Sequence, residues 1–294
     1  MIMSIGIPRA VDVEKRSFDR WVIELEPQPF ARPLSCGGCH ARVEPVTGYM
    51  TRKGTTVDPL YRLGRGVSHE NGCVYDFDAQ VGQLHQRNVG VVEKDGDLYV
   101  LVLNMELEGE QAASKDAKSG PRNRLAFSRV GIPPLHPTLR AASEIAKLLR
   151  KFEHDPAAKA RFRARYGRRV IAWENFCFDA AHDLKRLHRM LSTTRVEVDH
   201  PRAVVGRVEH VRQRDGSLYL AVRESDPATR GPVRSGEGVP IKPVLRPSSG
   251  SALGVAVDET VVGYGMWIPW TPPSGGPHYV TLWLGAHRGA MATL

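Results

Sequence analysis

Apolar and polar positions change their period several times along this chain, and each change predicts an element. Arg20-Trp21-Val22-Ile23-Glu24-Leu25 is rich in β-formers and is followed by Pro27 and Pro29, which predicts a strand that stops there. Val43, Val46, Tyr49 and Met50, followed by Lys53-Gly54, predict a two-stranded ribbon with a glycine turn. Val89 to Lys94 and Leu98 to Leu103 flank Asp95-Gly96, the pattern of a β-hairpin whose glycine takes positive φ. Glu108 to Asn123 has no apolar period and reads as a loop, and Ile132-Pro133-Pro134 with His136-Pro137 marks an extended linker.

The period then becomes helical. Leu139, Ala142, Ile145, Leu148, Leu149 and Phe152 fall on one face. Asp155-Pro156 is an N-cap followed by proline at the first helical position, which predicts a second helix over Ala157 to Tyr166, ended by Gly167. A third helix is expected from Asp179 to Leu191 on the stripe Leu184, Leu187 and Leu191. The last hundred residues alternate again. Val204 to Val211 and Leu218 to Val222 flank Asp215-Gly216, and Pro227 to Gly238 reads as a loop. Val239 to Arg246 contains Pro240 and Pro243, so that strand is expected at a sheet edge. Ser251 to Val257 reads as a short helix, and Thr260 to Ile268 and His278 to Leu284 as two more strands.

These elements predict an α+β protein in four stretches: a β-rich metal module at 1–82, a β-hairpin and linker at 83–137, a basic helical segment at 138–195 and a small β-barrel at 196–294. No apolar run reaches the ~18 residues of a membrane span. The N-terminal residues carry no apolar stretch of the secretory kind.

Charge sharpens the picture. The formal net charge is +9. Residues 140–195 hold 14 Lys and Arg against 6 Asp and Glu, so nearly the whole excess lies in 56 positions. Clustered positive charge is the footprint of a polyanion binder. The candidate nucleic-acid contacts are Arg161, Arg163, Arg165, Arg168, Arg169, Lys185, Arg186, Arg207, Arg212 and Arg214. Trp267 is taken as a base-stacking ring, with Tyr219, Tyr264, Trp270, Tyr279 and Trp283 as further aromatic candidates.

The strongest chemical pattern is Cys36-x2-Cys39, 29 intervening residues, then His69-x3-Cys73. Three thiolates and an imidazole complete a tetrahedral shell for a soft cation, leaving no open position for substrate. The expected cofactor is therefore a structural Zn²⁺. The alternatives are free thiols with a surface histidine, or a redox CxxC. His40, next to Cys39, competes with His69 for the histidine position. Four cysteines in a chain this long make no disulfide framework, and a reducing, cytoplasmic compartment is expected. Cys177, in an apolar stretch, reads as a small buried hydrophobe.

Cys36, Cys39, His69 and Cys73, with glycines flanking the histidine, resemble the zinc-finger-like module that opens competence proteins of the CoiA type. The resemblance covers the first quarter of the chain and implies a metal module in a nucleic-acid-related protein. Members of that family continue into a restriction-endonuclease-like domain, whose acidic motif is absent from the following stretch, so nuclease activity is not implied. The C-terminal order β-β-β-α-β-β, with Val205-Gly206-Arg207-Val208 and Val262-Gly263-Tyr264-Gly265, resembles OB-fold domains, which bind single strands. Another small barrel or a sandwich is the alternative.

The sequence contains no GxSxG, Walker loop or HExxH. The expectation is a modular, zinc-containing protein that binds single-stranded DNA or RNA, and its residues lend catalysis little support. A protein-protein adaptor is one alternative and a metal-dependent nuclease the other.

Overall fold

The computed structural model describes residues 5–52, 54, 56–103, 137–193, 200–212, 216–220, 239–247, 254–273, 276–284 and 289–294. The expected loops at 108–123 and 227–238, Arg214, and residues 251–253 lie outside them. The chain divides into two units, 1–99 with 144–162 and 100–143 with 163–294.

Unit 1 opens with β1 (Arg9–Val11), β2 (Ser17–Asp19), a 3₁₀ turn (Arg20–Glu24), β3 (Leu34–Cys36), β4 (Arg42–Val46), β5 (Tyr49–Met50), β6 (Thr56–Val57) and β7 (Leu60–Leu63). Five of the strands form an antiparallel sheet of order β2-β1-β3-β4-β7. β5 and β6 make the expected ribbon, with Gly54 at φ 76° in its turn. Ile7, Ala10, Ile23, Phe30, Leu34, Val43 and Tyr61 pack beneath the sheet, with Cys36 and Cys73 among them.

The strand expected at Arg20–Leu25 is instead the 3₁₀ turn. Asp19 caps it by accepting from the Trp21 N–H at 3.0 Å. Arg20 and Ile23 are its buried residues, a spacing of three that a two-residue period cannot give. Arg20 is held by Glu153 at 2.8 Å and Asp155 at 3.8 Å.

Helix α1 (Phe77–Arg87) follows, capped by Asp76, and then the expected hairpin β8 (Val92–Asp95) and β9 (Leu98–Val102), with Gly96 at φ 58°. Helix α2 (Pro137–Lys151) buries the predicted stripe. Asp155 caps α3 (Pro156–Ala160) through the Ala157 and Ala158 N–H groups, and its other oxygen accepts from Gly6 at 3.2 Å. Phe77, Phe152 and Phe162 meet edge to face with centroids 5.2 and 6.1 Å apart.

The helix expected over Ala157–Tyr166 stops after Ala160. Phe162 and Ala164 are buried while Arg163 and Arg165 are not, so the arginines fall on the opposite side of a strand, β10 (Phe162–Tyr166). Gly167, at φ 57°, does not end a helix but turns β10 into β11 (Arg169–Ala172).

Unit 2 continues with α4 (Trp173–Phe176), β12 (Cys177–Asp179) and α5 (Leu184–Thr193). The third helix thus starts five residues later than expected, after a turn in which the Asp183 N–H donates to the Asp179 carbonyl. An eight-stranded sheet follows from β13 (Arg202–Val211), β14 (Leu218–Leu220), β15 (Ile241–Pro247), β16 (Thr260–Gly265), β17 (Ile268–Trp270), β18 (His278–Leu284) and β19 (Gly289–Thr293). Its order is β17-β18-β15-β14-β13-β16-β19, with β12 also paired to β13, and among the described residues no ladder closes it.

Three further expectations are corrected here. β15 lies inside the sheet, and among the described residues β14 pairs with its Val244 and Leu245 and not with Pro243. The strand drawn over Thr260–Ile268 breaks at Met266 and Trp267 into β16 and β17. Residues 254–257 form no helix, while β12 and β19 were not anticipated. The core gathers Leu184, Leu187 and Leu191 of α5 with Val204, Leu220, Leu245 and Leu282. Among the described residues no helix is long and apolar enough to cross a membrane.

Candidate metal centre

Cys36 ends β3, and Cys39 follows in a turn that β1 braces. The Gly37 N–H donates to the Arg9 carbonyl at 2.9 Å, and the Cys36 N–H donates to the Ala41 carbonyl at 2.8 Å. The two glycines of the knuckle are there for closeness. A Cβ on Gly38 would stand 2.8 Å from Val74 Cγ2 and 3.1 Å from Cys73 Sγ, and one on Gly37 would stand 3.1 Å from the Arg9 backbone. Backbone N–H groups point at sulfur, among them Gly38 at Cys36 Sγ and Tyr75 at Cys73 Sγ, each at 3.4 Å.

His69 and Cys73 lie in a compact loop, with the Cys73 N–H donating to the Glu70 carbonyl at 3.1 Å and Gly72 at φ 80°. The loop runs into α1, since the Asp76 N–H donates to the Cys73 carbonyl at 3.2 Å. Helix and sheet thereby present the two ligand pairs to each other.

The four donor atoms lie within 4.8 Å of one another and can hold a metal ion. Cys36 and Cys73 sulfurs are 3.7 Å apart, and Cys39 Sγ stands 3.5 Å from His69 Nδ1. None of the four cysteines is in a disulfide, and a sulfur separation of 3.7 Å is far outside the ~2.05 Å of one. The histidine ambiguity is resolved for His69. His40 is 93 % exposed along its side chain and faces Glu70 at 3.3 Å. The carboxylates near the site have other work: Asp76 caps α1, Asp78 pairs with Arg161 at 3.0 Å, and Glu70 faces His40.

Burial pushes the Cys36 thiol up to about 12, and it raises Cys73 as well. For Cys39, burial acts upward too, but N–H groups from Glu70 and Ala41 outweigh it and hold the thiol below its ordinary value. Burial lowers His69 against the opposing charge of Asp76, which favours the neutral imidazole that binds metal. Cys177 is only partly buried and belongs to β12, which carries none of the four ligands.

The candidate nucleic-acid residues belong to several elements. Arg161 is a strut inside unit 1, donating to the Asp97 carbonyl at 2.6 Å and pairing with Asp78. Arg163 and Arg165 share one face of β10, and Arg168 and Arg169 are exposed at the turn of the same hairpin. Lys185 is exposed on α5, while Arg186 pairs with Asp183 at 3.0 Å and lies over Phe178. Arg207 pairs with Asp258 at 3.1 Å, and Arg212 is exposed beyond the end of β13. Trp267 is 1 % exposed and its indole N–H donates to the Arg202 carbonyl at 3.2 Å, so its ring is core and not a stacking surface. Tyr264 is buried as well, its phenol pushed upward by that burial. Trp270 and Tyr279 remain at the surface, and the side chain of Trp283 lies outside the described residues. Compared with known proteins, the chain matches no family model, no curated protein and no solved structure.

Proposed function

We propose that this protein is a zinc-stabilised nucleic-acid-binding protein that takes single-stranded DNA or RNA through unit 2. The observation that carries the reading is the β10–β11 hairpin, which sets Arg163, Arg165, Arg168 and Arg169 within seven residues. Arg163 and Arg165 sit two apart on one strand face, about 6.7 Å along it, and Arg168 and Arg169 extend the charge around the turn. Guanidinium groups in a row attract a phosphate backbone and bind it in a salt-dependent way.

The ion is zinc on the chemistry of the donor set. Bonds of about 2.3 Å to sulfur and about 2.05 Å to nitrogen in a tetrahedron place two sulfurs about 3.8 Å apart and sulfur and nitrogen about 3.6 Å apart. The observed separations of 3.7 and 3.5 Å match both. Four protein ligands fill the shell, so the ion holds structure. Thiolate ligands suit a reducing compartment such as the cytoplasm. The likeness to CoiA-type modules rests on these four residues and lends no activity.

Unit 2 is read as a barrel of OB type. β13, β14 and β15 make an antiparallel meander, β15 and β18 run parallel, and β17 and β16 return antiparallel to β18 and β13. Among the described residues Met266 and Trp267 interrupt that circuit between β16 and β17, and the reading bridges the interruption.

The test is fluorescence anisotropy with labelled single-stranded DNA and RNA at several salt concentrations. Binding that weakens as salt rises, and that falls sharply in R168E/R169E, is expected; no binding at low salt would overturn the proposal. A protein adaptor is favoured by a different observation, the adjacent Tyr49 and Met50 in β5, with Met50 71 % exposed. Partners retained through nuclease treatment and lost in a Y49S/M50S variant would establish it.

A further inference from the structure

Tryptophan is among the least wasteful residues to bury, yet unit 2 leaves one out. Trp270 is 44 % exposed, whereas Trp267, three residues earlier, is fully inside. Trp270 stands directly across from Tyr279 on the neighbouring strand, their ring centroids 5.2 Å apart and their planes 37° from parallel. Arg246 lies over the same indole, with its guanidinium carbon 5.4 Å from the ring centroid. Tyr279 in turn is the register partner of Lys242 on β15, whose side chain is exposed. Three strands thus lay out one row, Lys242, Tyr279 and Trp270, with Arg246 beside it. Ile268, two residues along β17, is exposed on the same strand face.

We infer that Trp270, propped by Tyr279 and flanked by Arg246 and Lys242, is a stacking position for an unpaired nucleobase. The inference rests on the proposed nucleic-acid function and names the place where a strand is gripped. Two features choose this occupant over an apolar protein surface. The exposed ring has two cations, Arg246 and Lys242, on β15 beyond Tyr279, which suits a base with its phosphates. The chain also carries a net charge of +9, complementary to a polyanion. A duplex keeps its base faces inside the stack, so the position selects single strands and tolerates any base, since each has a π-face.

The experiment uses the full chain with a short oligothymidylate strand and the matching duplex. Binding is followed by anisotropy over a salt series and by quenching of tryptophan emission. Replacing Trp270 by alanine is expected to weaken oligothymidylate binding about 5- to 150-fold, the span of one lost base stack. The slope of affinity against salt should stay as it was, because the phosphate contacts are untouched. W270F should bind within a few-fold of wild type while losing the oligonucleotide-induced quenching. If W270A fails to fold, W270F alone decides: lost quenching supports the stack, and retained quenching overturns it. Wild-type binding with W270A unchanged would overturn the stacking site and leave the nucleic-acid reading standing, as would a surface used by a protein. No wild-type binding to any strand at low salt would remove both.

Discussion

Cys36 and Cys73 are enclosed by the core of unit 1, while Cys39 and His69 stand nearer solvent, so the four ligands differ in what their loss does. A structural zinc contributes about 10–16 kcal/mol of apparent binding free energy, which matches or exceeds the ~5–15 kcal/mol stability of a whole domain. Replacing Cys36 or Cys73 by serine is therefore expected to abolish metal retention and the folding of unit 1, read out by metal content and near-ultraviolet dichroism. His40→Ala should leave metal content at wild-type level, because His40 belongs to Glu70 and not to the cluster. The pH dependence follows from the same thiols. Cys36 and Cys73 hold their protons above the ordinary thiol range without metal, so binding must expel protons and affinity must fall as pH falls. A competition titration with a chromophoric chelator at two pH values checks the sign. The four ligands were legible in the sequence because two short spacings define two turns. The choice between His40 and His69 was not, since it depends on which loop crosses to the knuckle. The exchange of Trp267 for Trp270 as the exposed ring was hidden for a related reason. The alternation breaks at Met266 and Trp267, and a two-residue period carried across that break assigns the faces wrongly.

Elements show where local signals held and where they misled. The α2 stripe, the Asp95-Gly96 hairpin and the Leu184, Leu187 and Leu191 stripe all came through, because each combines a clear period with a burial partner. Arg161 to Tyr166 misled, because an alanine-rich, basic run has high helix propensity. Packing decided otherwise: Phe162 completes the aromatic cluster with Phe77 and Tyr99, and the arginines alternate outward. Asp155 ties several of these elements together, capping α3, holding the Gly6 N–H and facing the buried Arg20. Asp155→Ala should cost about 2–4 kcal/mol, the loss of a cap plus a charge partner in a buried setting, measured by urea denaturation. In unit 2, Gly263 admits Leu245 and Trp267 against the strand. A Cβ there would stand 2.6 Å from Leu245 Cδ2 and 3.0 Å from the indole. Gly263→Ala is expected to destabilise by about 1–3 kcal/mol through overpacking, whereas Gly54→Ala, in open space, should act only through its positive φ and cost less.

At the scale of the whole molecule, function is proposed from a division of labour between a metal-pinned unit and a unit rich in strands and exposed arginine. The charge excess read from residues 140–195 is real, but it splits into several uses. Arg161 and Arg186 are tied to acidic neighbours, and the β10–β11 hairpin keeps the exposed pair Arg168 and Arg169. Net charge alone could not make that distinction, because it takes no account of exposure. It follows that R161E should damage stability more than affinity, and R168E/R169E affinity more than stability, as separate denaturation and anisotropy series would register. On the proposed reading all of this rests on a folded unit 1, and its folding on the metal-loaded cluster. The most direct measurement is therefore metal analysis of the purified chain, together with X-ray absorption at the zinc edge and dichroism before and after chelation. The account predicts one zinc per chain in a shell of three sulfurs and one nitrogen, with the near-ultraviolet signal of unit 1 lost when the ion is stripped. A folded, unchanged protein that carries no stoichiometric metal would contradict it.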